Sequence, residues 1–156
     1  MGNVQCVYGD LDGNILLDLS EYENICDLSN FVNGKAVACF YNRSAEKSYF
    51  TIIDEKGDFQ FEPVEVRDIS QVTTCFFDGE TVVLLYSSWG LNNFEGPIVS
   101  YNANGEFLGS LQAETLDGRN RVYSCRGIVD SVICIDSGYN FTYIYHYFRS
   151  DFTPLF

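Results

Sequence analysis

A chain of 156 residues with 46% apolar residues can bury one real core, and three prolines with no low-complexity stretch leave no linker to divide it. A formal net charge of −13 repels phosphate backbones and sets nucleic acid aside as a partner. No apolar run nears the roughly 20 residues that span a bilayer, so no membrane insertion is expected.

The start, MGNVQC, places Gly2 near Cys6, but the Ser or Thr usual for lipidation at the sixth position is missing. No leader is visible, and localisation stays open: cytoplasmic, or cell surface if an upstream signal has been removed. Asp10, Asp12 and Gly13 form the first turn. An EF-hand loop starting at Asp10 needs glycine at its sixth position, where Ile15 stands, so a hairpin bend is expected and no metal site. Ile15, Leu17 and Leu19 follow at period two, the mark of a strand. Ser20 and Glu23 also fit a capping box, with Leu19, Tyr22, Ile25 and Leu28 along one side of a competing short helix.

Asn33-Gly34 then leads into AVACFY (residues 36–41), apolar on both sides. Lys56-Gly57 leads into an alternating Phe59 and Phe61, and Asp78-Gly79 into TVVLLY (residues 81–86). Asn104-Gly105 precedes Phe107 and Leu111; Arg126-Gly127 precedes SVICID (residues 131–136); Arg149-Ser150-Asp151 makes the last turn. Gly13, Gly57 and Gly105 lie 44 and 48 residues apart; Gly34, Gly79 and Gly127 lie 45 and 48 apart. Turns at this spacing predict an all-β, antiparallel array of hairpin repeats, four short strands in roughly 45 residues. The units run over residues 4–48, 49–96 and 97–138, with a terminal hairpin at 139–156. Strands apolar on both sides must be covered on both faces, which face-to-face packing of propeller-like units supplies. About three and a half units fit, so a ring needs the terminal hairpin, more chain or a homo-oligomer to complete it.

The strings FTIIDEKGDFQFEPVEV (residues 50–66) and EYENICDLSNFVNGKAVACF (residues 21–40) resemble the bacterial WG-type repeat family. There an IDxxG hairpin is followed by PxY and FxxGxAxV; Ile53 to Gly57 matches the first element and Phe31 to Val37 the last. The resemblance implies a β-propeller-like repeat scaffold, of cell-surface or partner-binding use.

Candidate sites are few. The six cysteines make no CxxC pair and sit in apolar runs, which predicts buried free thiols and neither zinc nor another cofactor. The loop over residues 87–97 carries the sole tryptophan, Trp89, with Asn92, Asn93 and Phe94, an aromatic platform beside amides that suits a protein or glycan ligand. The competing reading tucks Trp89 over a sheet edge. His146, the one histidine, stands among aromatics with no nucleophile motif, which favours packing over catalysis. Asp54, Asp130 and Asp136 are the acids within strands, and no two are marked as a pair. No catalytic residue is assigned. The expected function is a non-enzymatic binding or interaction scaffold; the alternative is a glycan-processing hydrolase using paired carboxylates.

Overall fold

Short apolar runs separated by turns that accept positive φ can satisfy their backbone only by pairing with each other. The computed structural model describes residues 6–20, 22, 24–87, 93–112, 122–139 and 142–156. These residues are all-β, without a helix, and every strand pairing is antiparallel. The strands are β1 (Val7–Gly9), β2 (Ile15–Asp18), β3 (Ile25–Leu28), β4 (Lys35–Asn42), β5 (Lys47–Asp54), β6 (Val64–Glu65) and β7 (Thr74–Phe77). Then come β8 (Thr81–Ser87), β9 (Asn93–Asn102), β10 (Phe107–Gln112), β11 (Val122–Val129), β12 (Val132–Tyr139) and β13 (Thr142–Arg149). The competing helix is not formed: Ile25 and Leu28 belong to β3, paired with β4.

The strands fall into four meandering groups. β1 and β2 make a two-stranded sheet, and β3-β4-β5-β6 a four-stranded one. The remaining seven strands are joined in one sheet, but only Asn93 and Phe94 of β9 reach β11. On either side of that narrow link stand β7-β8-β9-β10 and β11-β12-β13. The expected divisions at 48/49 and 96/97 fall inside β5 and β9. Glycine spacing sets a period; hydrogen bonding sets its phase.

Register repeats across the groups. Lys35 pairs with Asp54, Thr81 with Asn102 and Val132 with Arg149 at the ends of the central hairpins. Counting back four residues in each third strand brings Phe50, Ile98 and Tyr145 to one position, opposite Cys39, Leu85 and Asp136.

The turns after β1, β5 and β9 share one construction. Oδ1 of Asp10 accepts the amides of Asp12 and Asn14 at 3.0 and 2.8 Å. Oδ1 of Asp54 accepts those of Lys56 and Asp58 at 2.8 and 3.0 Å. Oδ1 of Asn102 accepts those of Asn104 and Glu106 at 2.9 and 3.0 Å. Gly13, Gly57 and Gly105 each take the left-handed place, φ 86°, 87° and 84°. In the last turn Phe152 holds that place at φ 63°, and its amide donates to the Arg149 carbonyl. The acidic bends are held by their own side chains: an asparagine serves at Asn102 as aspartates serve at Asp10 and Asp54, so the role needs an oxygen acceptor rather than a charge.

One turn departs from expectation. Arg126-Gly127 is not a bend: it lies inside β11, where a bulge interrupts the register between Cys125 and Gly127. The hairpin closes at Asp130-Ser131, φ 49° and 60°, a two-residue turn of the same hand as Asn33-Gly34 at 51° and 76°.

Three cores separate the four groups. Leu19, Ala36, Ala38 and Ile53 fill the first, between β1–β2 and β3–β6. Val37, Cys39, Phe50 and Ile52 meet Cys75, Phe77, Val82, Leu84, Val99 and Tyr101 in the second. Val83, Leu85 and Ile98 meet Tyr123, Cys125, Ile133, Ile135 and Phe148 in the third. Thus β4 sends Ala36 and Ala38 one way and Val37 and Cys39 the other, while β8 divides Val82 and Leu84 from Val83 and Leu85. This is why both runs are apolar throughout.

Candidate recognition groove

A group of chemically distinct side chains lies around β11 and β12. The bulge at Cys125/Gly127 turns Arg126 toward β12, where its guanidinium forms an ion pair with Asp136. Asp136 is 3% exposed and Arg126 53%, so the buried carboxylate is neutralised by a cation that keeps one side in water. The carboxylate beside it holds the Arg126 pKa above its ordinary value, chiefly through the hydrogen bond.

Beside this pair opens a groove of about 450 Å³. Cys75, Phe76 and Phe77 of β7 form one wall, Arg126 to Val129 of β11 another; Val132, Cys134 and Tyr147 line it from β12 and β13, and Ser29 with Asn30 from the residues after β3. The walls are mostly apolar, with Ser29, Asn30, Arg126 and Tyr147 the residues there that carry a hydroxyl, amide or guanidinium. That composition suits an apolar or aromatic side chain with a few orienting hydrogen bonds. A second hollow, of about 470 Å³, lies by the β4–β5 turn, between Asn24, Phe40 to Ser44, Tyr49 and Pro63.

The thiols of the groove are held protonated. Cys134 is raised by burial and then by Asp136. Cys75 is raised by a hydrogen bond with Cys39 and by burial, while its amide donates to Asp27 Oδ2 at 2.7 Å, tying β7 to β3. Protonated thiols are weak nucleophiles. All six cysteines are free; Cys39, Cys75 and Cys125 are buried, whereas Cys6, Cys26 and Cys134 are half-buried, short of the full burial expected.

Trp89 and Asn92 lie outside the described residues. Asn93 and Phe94 open β9, where their backbones pair with Ser124 and Tyr123; their side chains also lie outside the described residues. His146 sits on β13 with Nε2 3.2 Å from Ser137 Oγ. Ser137 is 0% exposed, so its hydroxyl is placed for cross-strand bonding and not for attack on a substrate. The three acids are dispersed: Asp54 caps a turn in the four-stranded sheet, Asp130 is a turn residue with positive φ, and Asp136 is paired with Arg126. The groove itself escaped sequence reading, because Phe76, Arg126 and Tyr147 are brought together by a bulge and by stacking between groups.

Searches against protein-family models, curated proteins and solved structures return no match for this chain.

Proposed function

We propose that this chain is a non-enzymatic binding or interaction scaffold, a propeller-like array of WG-type repeats whose recognition surface is the groove beside Arg126. The observation that carries the reading is the groove's chemistry. It offers apolar walls with a neutralised cation, and its thiols are held in the unreactive form. Support for a propeller-like array comes from four antiparallel groups stacked through three cores, three of the groups in a common register. β7 has β3 on one side and β11 on the other, as inner strands of successive blades would.

The hydrolase alternative requires two carboxyl groups about 5–9.5 Å apart on a shared cleft. Among the described residues the groove lining includes no carboxylate, and Asp136 is occupied by Arg126. A peptide and glycan array, followed by titration of the best binder, tests the scaffold reading. Trp89, the sole tryptophan, supplies an intrinsic fluorescence signal. Phe76→Ala should weaken binding by about 2 kcal/mol, as loss of a central aromatic anchor does. Turnover of a glycoside substrate that disappears in Asp136→Asn would replace this reading with the hydrolase.

A further inference from the structure

The third strands β5 and β9 each have a fourth strand on their outer edge. Val64 and Glu65 pair with Phe50 and Tyr49, and the Val66 amide donates to the Ser48 carbonyl at 2.8 Å. Leu111 and Gln112 of β10 pair with Ile98 and Pro97. By the shared register the matching stretch of β13 is residues 143–146. The Leu155 amide donates to the Tyr147 carbonyl at 2.9 Å, as the Gln60 amide donates to the Ile52 carbonyl at 2.8 Å. There the likeness stops: among the described residues no strand pairs with the outer edge of β13 over Thr142 to His146.

Strand alternation fixes which groups face outward. The Arg149 amide and the Tyr147 carbonyl both bond on the outer side, so Tyr145 and Tyr143 point their backbone groups the same way. Exposed edges are ordinarily blunted with lysine, proline or a bulge. Residues 142–148 read TYIYHYF, with no such device, and β12–β13 pairs in unbroken register. Tyr143, Ile144 and Tyr145 are all exposed.

We propose that the outer edge of β13 is a strand-acceptor site: it takes an extended peptide, antiparallel, as the fourth strand of the β11–β13 group. The peptide's amides would bond the Tyr143 and Tyr145 carbonyls, and the Tyr143 and Tyr145 amides would bond the peptide. An apolar residue opposite Tyr145 would stand as Val64 stands opposite Phe50. This deepens the scaffold reading by naming its partner as an apolar extended peptide, and it rests on that reading.

The probe is a synthetic peptide with the sequence of residues 60–67, the segment that supplies β6. Amide hydrogen exchange by NMR is followed at peptide concentrations up to about 1 mM, since a single added strand binds weakly. The expected result is slowing of the Tyr143 and Tyr145 amides by about tenfold or more, the mark of backbone pairing. Tyr145→Pro removes an outward amide that β12 does not use and should abolish the slowing while leaving the fold intact. A peptide N-methylated at the residue matching Val66 should fail in the same way without any change to the protein. Absence of slowing at Tyr143 and Tyr145 overturns the proposal, as does slowing indifferent to N-methylation. If peptide protection falls instead on Phe76 and Gly127, the edge site is wrong and the groove-binding scaffold stands.

Discussion

Phe50 and Tyr145 occupy the same place in their hairpins, yet Phe50 is 0% exposed and Tyr145 54%. Phe50 is opposite Cys39 and packs against Phe61 and Tyr101, because β7–β10 lies over that face. Tyr145 is opposite Asp136, and the corresponding face of β11–β13 presents Tyr143, Tyr145 and Tyr147 to solvent. Between them Ile98, opposite Leu85, is covered by β11–β13. One position in one hairpin frame is therefore core or surface according to what is stacked upon it. The interior groups are fixed by packing on two faces, while the last group is packed on one and carries its polar chemistry on the other.

The widest separation should come from truncating the two aromatics. Phe50→Ala should cost about 3–5 kcal/mol, the usual loss for a buried large aromatic. Tyr145→Ala should stay within about 0.5 kcal/mol, as surface changes do. Urea unfolding of both variants measures the difference; similar losses would mean the last face is covered.

Arg126 tests the polar side of the contrast. Arg126→Ala leaves the Asp136 carboxylate, 3% exposed, without its cation. The expected loss is about 1–3 kcal/mol, the cost of an unsatisfied buried polar group. Asp136→Asn keeps an acceptor facing Arg126 and should cost less.

Alkali should destabilise the fold through its buried thiols. Burial pushes the Cys125 thiol up to about 12 from 9.0, and Cys26 likewise to about 12. Cys75 and Tyr8 are raised as well. A folded pKa above the unfolded one means that the native state holds its proton more tightly. This stability is fully present below pH 9 and is lost between about pH 9 and 12, as the unfolded chain ionises first. Each such thiol contributes a slope of about 1.4 kcal/mol per pH unit in that window. Thermal unfolding from pH 8 to 11 should show the fall, and Cys125→Ala should make it shallower.

The turns offer the smallest contrast. Gly57 and Gly13 share a left-handed backbone, but a Cβ on Gly57 would stand 3.2 Å from Leu17 Cδ1, whereas one on Gly13 meets nothing within 4 Å. Gly13→Ala should cost about 1–2 kcal/mol from backbone strain alone. Gly57→Ala should cost more, because its bend is pressed against β2.

Much of the fold was legible in these turns and runs. The glycines of Asp12-Gly13, Lys56-Gly57 and Asn104-Gly105 mark places that only positive φ can fill, and AVACFY and TVVLLY declare two buried faces. The hairpin at Asp130-Ser131 was missed because neither residue is glycine, and the neighbouring Arg126-Gly127 drew attention to itself. Phe152 was missed for the same reason: a phenylalanine holds a left-handed place. SVICID reads like its sister runs, yet Cys134 and Asp136 lie on a face that no further sheet of the described residues covers. What stacks on a strand is a tertiary fact, and so is the meeting of Phe76, Arg126 and Tyr147 at the groove.

The difference between closed interior and open end is tested most directly by native-state hydrogen exchange of the free chain, read amide by amide along β5, β9 and β13. Closed outer edges on β5 and β9 predict slow exchange at Phe50 and Ile98; the β13 edge, which no strand of the described residues pairs over Thr142 to His146, predicts fast exchange at Tyr143 and Tyr145 beside slow exchange at Ile144 and His146, whose amides face β12. Equal protection of all four β13 amides in the free chain would contradict it.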